Sequence, residues 1–435
     1  MILRLLLPLA FLFWGLPAAV FAQFITRGPV VGGVTQNAAR LYLQTDGLKT
    51  FELQIARDSL FTAIDQTVVD STRANRYNTR IVDVAGLQPF TQYFYRFRFG
   101  GTTDSLRGYF YTFPETGQNV TLRVVVGSCN YYDNFPLFES IRQFRPHLFL
   151  HLGDWNYPPS SPGQGANYNL FPAKRASSFA IRYNDANMKR YVFPYGAVDF
   201  IYDDDWSQNG VQGVTWPNNY TTPKPGGGLN NHFDTQYMDS ANRVGAIRAY
   251  FDYFPGYAAV DTAWGIFHRI PAGLADFFVT DVRTSSMPQN EAYFYDSTNA
   301  EQPWRFDPES LGDKHTLLGQ VQRNWLLGGL NAAADRWRIT ASGVVFNRRY
   351  REFMDFLMSA QNLELNGIAG QQGTAGLMSA SLAYNWAAYP VDHQPLLDLA
   401  QSPQGRNMLF LSGDSHSSAI DDGANAGMPE MMASG

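Results

Sequence analysis

Five times in this chain an apolar run stops abruptly at residues whose side chains carry lone pairs. Leu122 to Val126 runs into Gly127-Ser128-Cys129-Asn130, and His147-Leu148-Phe149-Leu150-His151-Leu152 runs into Gly153-Asp154. Val198 to Tyr202 runs into Asp203-Asp204-Asp205, Phe277 to Thr280 into Asp281-Val282-Arg283, and Met408 to Leu411 into Ser412-Gly413-Asp414-Ser415-His416. Short apolar runs bounded by turn residues suit strands buried on both faces. Helical patterns lie between them, at 136–144 and at 318–330, where Leu318, Gln322, Leu326 and Leu330 share one face. Alternating strands and helices predict a layered α/β domain over residues 120–435. In such sheets ligands sit outside the carboxyl ends of the strands, so all five polar clusters are expected on one rim.

Four carboxylates on one rim (Asp154, Asp204, Asp281 and Asp414) would repel one another and raise their own pKa values. Multivalent cations remove that cost. Oxygen donors suit Ca²⁺, Mg²⁺, Mn²⁺ or Fe³⁺, while Cys129 and His416 add softer donors, a mixture that points to two or more unlike metals. Metals a few Å apart generate hydroxide at neutral pH and clamp phosphoryl oxygens during in-line attack. Taken singly, each of these motifs has an ordinary structural reading. Gly-Asp after a strand is common turn chemistry, and a lone cysteine is usually a small buried hydrophobe. Their ordered recurrence is what carries the metal reading.

Composition narrows the alternatives. The net charge is −5, without the basic excess that nucleic-acid binding needs. Cys129 is the only cysteine among 435 residues, which rules out intrachain disulfides and multi-thiolate zinc sites. Residues 1–22 carry Arg4, an apolar stretch from Leu5 to Val20 and the small-x-Ala sequence Val20-Phe21-Ala22, which predict a Sec-type signal peptide cut before Gln23. The mature chain is expected to be exported, periplasmic or secreted, with no membrane span after cleavage.

Residues 23–116 read as an all-β module. Segments 40–44, 51–55, 79–84, 93–99 and 108–113 alternate polar and apolar residues between turn signals, as β-sandwich strands do. Leu87-x-Pro89-x-Thr91-x-Tyr93 resembles the tyrosine-corner segment of fibronectin type III domains, with the Tyr93 hydroxyl bonded back to nearby backbone. Such a module is expected to be a structural appendage packed on its neighbour, with a linker at 114–119.

The order of motifs resembles the PhoD-like (alkaline phosphatase D) branch of the calcineurin-like metallophosphoesterases. It rests on Gly127-Ser128-Cys129, Gly153-Asp154-Trp155-Asn156-Tyr157, Arg182-Tyr183, Tyr202-Asp203-Asp204-Asp205-Trp206, Asp281-Val282-Arg283 and Gly413-Asp414-Ser415-His416. Two further segments match, Leu318-Gly319-x-x-Gln322-x-x-Trp325-Leu326 and Trp386-x-x-Tyr389-Pro390. The resemblance implies an α/β (α+β) fold, a layered β-sheet metallophosphoesterase domain with flanking helices behind a fibronectin-like sandwich. It also implies a centre of Fe³⁺ and Ca²⁺. By position, Cys129, Asp154, Tyr183, Asp414 and His416 would serve the metals with Asp154 bridging. Asp204 and Asn209 would serve a second metal region. Arg283 would either hold a phosphate oxygen or lock the strand end in an ion pair.

Two departures from the family pattern stand out. Its His-Glu after the paired aspartates is Asp205-Trp206 here, so Asp205 would protonate the leaving group only with a raised pKa. The stretch 207–232 reads as a lid, a specificity loop or a plain surface insertion. The expected function is an exported phosphoesterase hydrolysing phosphodiesters or phosphomonoesters. The alternative is a catalytically weak or silent metal-binding surface protein that binds a ligand or partner through the sandwich. The sequence after His416 shows no evident closing strands, so truncation of the sheet is expected, with Gly427-Met428-Pro429-Glu430 approaching a further family segment.

Overall fold

The computed structural model describes residues 23–130, 135–153, 179–180, 182–201, 240–287, 292–295, 298, 304–350, 352 and 385–434. The expected signal segment, Asp154, Asp204, Asp205, Asn209 and the 207–232 stretch lie outside the described residues.

The amino-terminal strands are β1 (Ile25–Gly32), β2 (Ala38–Thr45), β3 (Thr50–Ala56), β4 (Gln66–Ser71), β5 (Thr79–Ala85), β6 (Gln92–Phe99) and β7 (Thr102–Tyr111). They form two antiparallel sheets, β1-β2-β5 and β4-β3-β6-β7. Strict alternation along β6 turns Tyr93, Tyr95, Phe97 and Phe99 inward, where they meet Leu41, Leu43, Leu53 and Val82. The corner forms as expected: the Gln88 N–H donates to the Tyr93 hydroxyl oxygen at 2.9 Å. The sequence reading missed β1 and β4.

This sandwich is stitched to the rest of the chain by backbone hydrogen bonds. Val31 N–H donates to Phe193 O at 3.1 Å and Tyr109 N–H to Pro194 O at 3.0 Å. In the other direction, the Tyr257 hydroxyl donates to Val34 O at 2.8 Å. Gly108 is required at this seam, because a Cβ there would strike the Pro194 carbonyl.

The second unit contains β8 (Val124–Gly127), α1 (Phe135–Phe144), β9 (Leu148–His151), β10 (Ala197–Phe200), α2 (Ser240–Tyr253), β11 (His268–Ala272) and β12 (Ala275–Val279). It continues with β13 (Tyr293–Tyr295), β14 (Trp304–Phe306), α3 (Gly319–Ala332), β15 (Trp337–Ser342), α4 (Pro390–Gln401), β16 (Met408–Ser412), β17 (Ala419–Asp421) and β18 (Glu430–Met432). One sheet is β10-β9-β8, all parallel. The other is β11-β12-β15-β16-β18-β17, parallel in its interior with β11 and β17 antiparallel at the edges. Leu148, Leu150 and Leu152 pack in one cluster with Ile270, Phe277, Val279 and Leu411 from the second sheet. Leu326 and Leu330 of α3 and Leu396 of α4 pack with Phe278 and Phe410.

One expectation is corrected and one strand is added. The segment after His416 does supply closing strands: β18 pairs parallel with β16, and β17 returns antiparallel beside it. Central β15 escaped detection because its sequence, Trp-Arg-Ile-Thr-Ala-Ser, interrupts the apolar run with a charge. That charge, Arg338, is buried, and its terminal nitrogens are held by backbone carbonyls, donating to Leu330 O at 3.0 Å and Arg406 O at 2.6 Å.

Two buried histidines are held uncharged. Burial pushes His147 and His393 down to about 4, and His393 Nε2 meets no hydrogen-bond partner among the described residues. An unfolded histidine binds its proton near pH 6.5, so the unfolded chain takes up more protons between about 6.5 and 4. The stabilisation is therefore complete above about pH 6.5 and is lost as pH falls toward 4. Urea midpoints at pH 7 and pH 4.5 are expected to show this loss, and His393→Leu is expected to flatten the difference. At the seam, Gly108→Ala is expected to cost about 1–3 kcal/mol in the same assay through forced backbone displacement.

Candidate metal centre

Three of the residues singled out in the sequence meet in space. Cys129 Sγ, a carboxylate oxygen of Asp414 and a ring nitrogen of His416 lie within 4.8 Å of one another. Local structure explains the convergence. Leu152 N–H donates to Gly127 O at 2.8 Å and Cys129 N–H to Gly153 O at 3.1 Å, so β8 and β9 stay paired past their assigned ends. Gly413, just after β16, lies so close to them that a Cβ would strike the Leu152 carbonyl and come within 2.9 Å of Ser128 Cβ. The Asp414 N–H then donates to Ser128 Oγ at 3.0 Å, and that hydroxyl donates to Ala433 O at 2.9 Å.

All three residues adopt left-handed backbone: φ is 58° at Cys129, 57° at Asp414 and 50° at His416. Each such non-glycine conformation costs about 1–3 kcal/mol and tends to collect at functional sites. Cys129 is buried with Sγ 2.8 Å from Ser434 Oγ, Asp414 keeps part of its backbone at the surface while its side chain is buried, and His416 is exposed.

Arg283 belongs to the same centre. Its Nη2 donates to Asp414 Oδ2 at 2.6 Å, and both side chains are almost fully buried. The ion pair therefore exists, as one of the two sequence alternatives expected. A carboxylate has about four lone-pair sites, so this contact still leaves Asp414 capable of metal ligation.

Asp281 does something other than the sequence suggested. Its Oδ1 accepts from the Arg283 and Thr284 N–H groups at 3.0 and 2.8 Å. Its Oδ2 accepts from Ile266 N–H at 2.9 Å and Thr284 Oγ1 at 2.6 Å. A carboxylate with this many donors shapes the turn and is not an uncompensated member of an acidic rim. Gln322 of α3 fixes the same turn, accepting from Asp281 N–H and donating to Asp281 O, both at 2.7 Å. That contact gives the Leu318-Gly319-x-x-Gln322 segment its structural meaning. Trp386 and Tyr389 of the other matching segment likewise act as struts, donating to Ser342 Oγ at 3.1 Å and Met287 O at 2.7 Å.

Tyr183 also departs from the role implied by resemblance. It is fully buried against Tyr42 and Phe179, and its hydroxyl donates to Tyr253 O at 2.6 Å. Burial drives its pKa well above the ordinary phenol value, which opposes the phenolate that would bind a metal. The structure thus places Tyr183 in the aromatic core as a packing residue.

The tyrosine beside the centre is Tyr350, which the sequence reading missed. Its hydroxyl donates to Ser415 O, between Asp414 and His416, at 3.0 Å. Burial chiefly raises its pKa, and nearby Cys129 and Asp414 add to the rise. Tyr350 lies eight residues beyond the end of β15, past the reach of the strand-end pattern that marks the other polar clusters.

Comparison with known proteins decides the family. The model of PhoD-like phosphatases matches residues 214–432, half of the chain, and the model of their N-terminal domain matches residues 24–114. The chain belongs to the PhoD-like phosphatases. Alkaline phosphatase D of Bacillus subtilis (strain 168) is 24% identical over 389 residues, covering 84% of this chain and 58% of that protein. This PhoD-like chain thus spans under three-fifths of the length of that curated relative. The solved structure of PhoD superposes with a TM-score of 0.67 at 18% identity, covering 95% of this chain and 77% of that one, which shows a shared fold. A purple acid phosphatase from yellow lupin, PPD1, aligns at a TM-score of 0.47 and 12% identity over 90% of this chain and 58% of that one. Among the described residues of this PhoD-like chain, no helix is long and apolar enough to cross a membrane.

The Asp281 turn yields a test. Asp281→Asn swaps an acceptor for a donor against a ring of donors, and is expected to cost about 1–3 kcal/mol by urea denaturation. Cys129, Asp414 and His416 remain in place in that variant, so elemental analysis is expected to show any bound metal reduced only in part, through the loosened Arg283 loop.

Proposed function

We propose that this chain is an exported metal-dependent phosphoesterase acting on phosphodiesters or phosphomonoesters. The observation that carries the reading is the convergence of Cys129, Asp414 and His416 at the strand ends. Thiolate, imidazole and carboxylate form a donor set that suits a transition metal. Left-handed backbone at all three positions aims them at a common point and is hard to explain as ordinary turn chemistry. A metal held there supplies a nucleophile at neutral pH and positive charge for phosphoryl oxygens.

In this reading Asp154 would join the ligands of the centre, and Asp204 and Asn209 would hold a second ion. Fe³⁺ and Ca²⁺ are the proposed pair. Arg283, held in place by Asp414 and the Asp281 turn, orients a phosphoryl oxygen through its planar fork. Asp205 would return a proton to the leaving oxygen. Export through residues 1–22 delivers the mature chain to the periplasm or beyond.

The second reading, a silent metal-binding surface protein, draws on Asp205-Trp206. The docked sandwich argues against it in part, because strands β1 and β7 spend backbone donors on the second unit.

The test is metal content and visible absorption of the purified mature protein, beside hydrolysis of bis-(p-nitrophenyl) phosphate. Bound metal with turnover is expected. His416→Ala, an exposed substitution that spares the core, is expected to lower turnover by more than the roughly 10–100-fold typical of changes outside the ligand set. Metal without turnover would favour the silent reading, and a metal-free protein would overturn the centre itself.

A further inference from the structure

Beside the candidate centre lies a cleft of about 310 Å³, lined in part by Val345, Tyr350, Ala419 and Met432. That volume sits at the small end of the about 300–1,000 Å³ usual for small-molecule sites. Tyr350 connects it to the centre, since the same residue lines the cleft and bonds Ser415 O between Asp414 and His416.

Most polar groups lining the cleft already hold hydrogen bonds within the protein, and Arg349, more than half exposed, is the one with donors to spare. Glu430 accepts from Phe346 N–H, Asn347 N–H and Ser412 Oγ at 2.9, 2.8 and 2.6 Å. Asp421 accepts from Asn347 Nδ2 at 2.5 Å and Gly423 N–H at 2.7 Å. Ser418 Oγ donates to Ser434 O at 2.5 Å, Ser417 Oγ to Ser415 O at 3.2 Å, and Arg349 pairs with Glu352. Away from Arg349, what the cleft offers a ligand is therefore chiefly carbon: the Val345, Ala419 and Met432 side chains and the ring of Tyr350. A hydroxyl-rich group would find its donors and acceptors poorly matched there, whereas an apolar group loses little on leaving water.

We propose that this cleft receives an apolar organic group carried by the phosphorus, making the chain selective for phosphodiesters with an aryl substituent. The inference rests on the phosphoesterase reading above and adds the substrate class. Ala419 and Met432 become specificity-determining residues, and Tyr350 the wall shared by cleft and centre.

The experiment compares phenyl p-nitrophenyl phosphate with methyl p-nitrophenyl phosphate, using the metal-loaded mature protein. In both, water forms the new P–O bond, the bond to p-nitrophenolate breaks, and the phenyl or methyl group stays on phosphorus. The same coloured product reads both rates. The phenyl ester is expected to be favoured by about tenfold or more in kcat/KM, the scale on which an apolar pocket discriminates. Ala419→Trp fills the cleft from an exposed edge strand and is expected to collapse that ratio toward one. Ala419→Val is expected to lower it partly, and circular dichroism reports whether each variant folds. Equal rates for the two esters in the parent, or an unchanged ratio in a folded Ala419→Trp variant, would overturn the proposal and leave the phosphoesterase reading standing. Absence of turnover with either ester would overturn both.

Discussion

A buried guanidinium meets a carboxylate where the loops after β12 and β16 come together over the end of β15. Arg283 and Asp414 are nearly inaccessible to water and lie 2.6 Å apart. Desolvating two charges costs several kcal/mol per ion, which only good geometry and further hydrogen bonds offset. The fold supplies that geometry from both sides. Asp281, ringed by N–H and O–H donors and braced by Gln322, sets the course of the Arg283 loop, while Ser128 fixes the Asp414 backbone. Removing any of these supports leaves a charge stranded or a loop loosened, so the centre and the packing beneath it are one construction.

The same logic explains how two sheets serve one site. Strands β8 and β9 come from the three-stranded sheet and β16 from the six-stranded one. Their ends touch because Gly413 has no side chain, which brings the Cys129 loop and the Asp414-Ser415-His416 loop together. The amino-terminal sandwich braces this pair from outside, through Phe193, Pro194 and Tyr257.

Much of this was legible in the sequence, for a physical reason. Strands buried on both faces must be apolar throughout, so β9, β12 and β16 announce themselves, and polar residues at their ends stand out. The α3 face showed for the same reason, as 3.6-residue spacing left Gln322, Leu326 and Leu330 together. What sequence could not show was the partner of each polar group. Asp281 and Asp414 look alike in one dimension, yet one is consumed by four hydrogen bonds and the other lies beside a thiol and an imidazole. Tyr183 sits in a matching motif but packs in the core, whereas Tyr350, in no motif that the sequence singles out, lies beside the centre. The short strands β17 and β18 lacked enough length for any periodicity to register.

The hydrogen bonds from Ser128 to Ala433 and the contact between Cys129 and Ser434 span 305 residues of chain. A centre tied that way cannot assemble before residues 433 and 434 have been made. Cys129 is made early, as a bare thiol on the end of a strand, and waits for the last described residues before Ser434 reaches it. Long-range closure of this kind is slow and exposes unpaired edges meanwhile. Closure over the Cys129 loop therefore follows the docking of β18 against β16, so that a chain interrupted before that strand would keep most of its core and lack Ser434 beside Cys129.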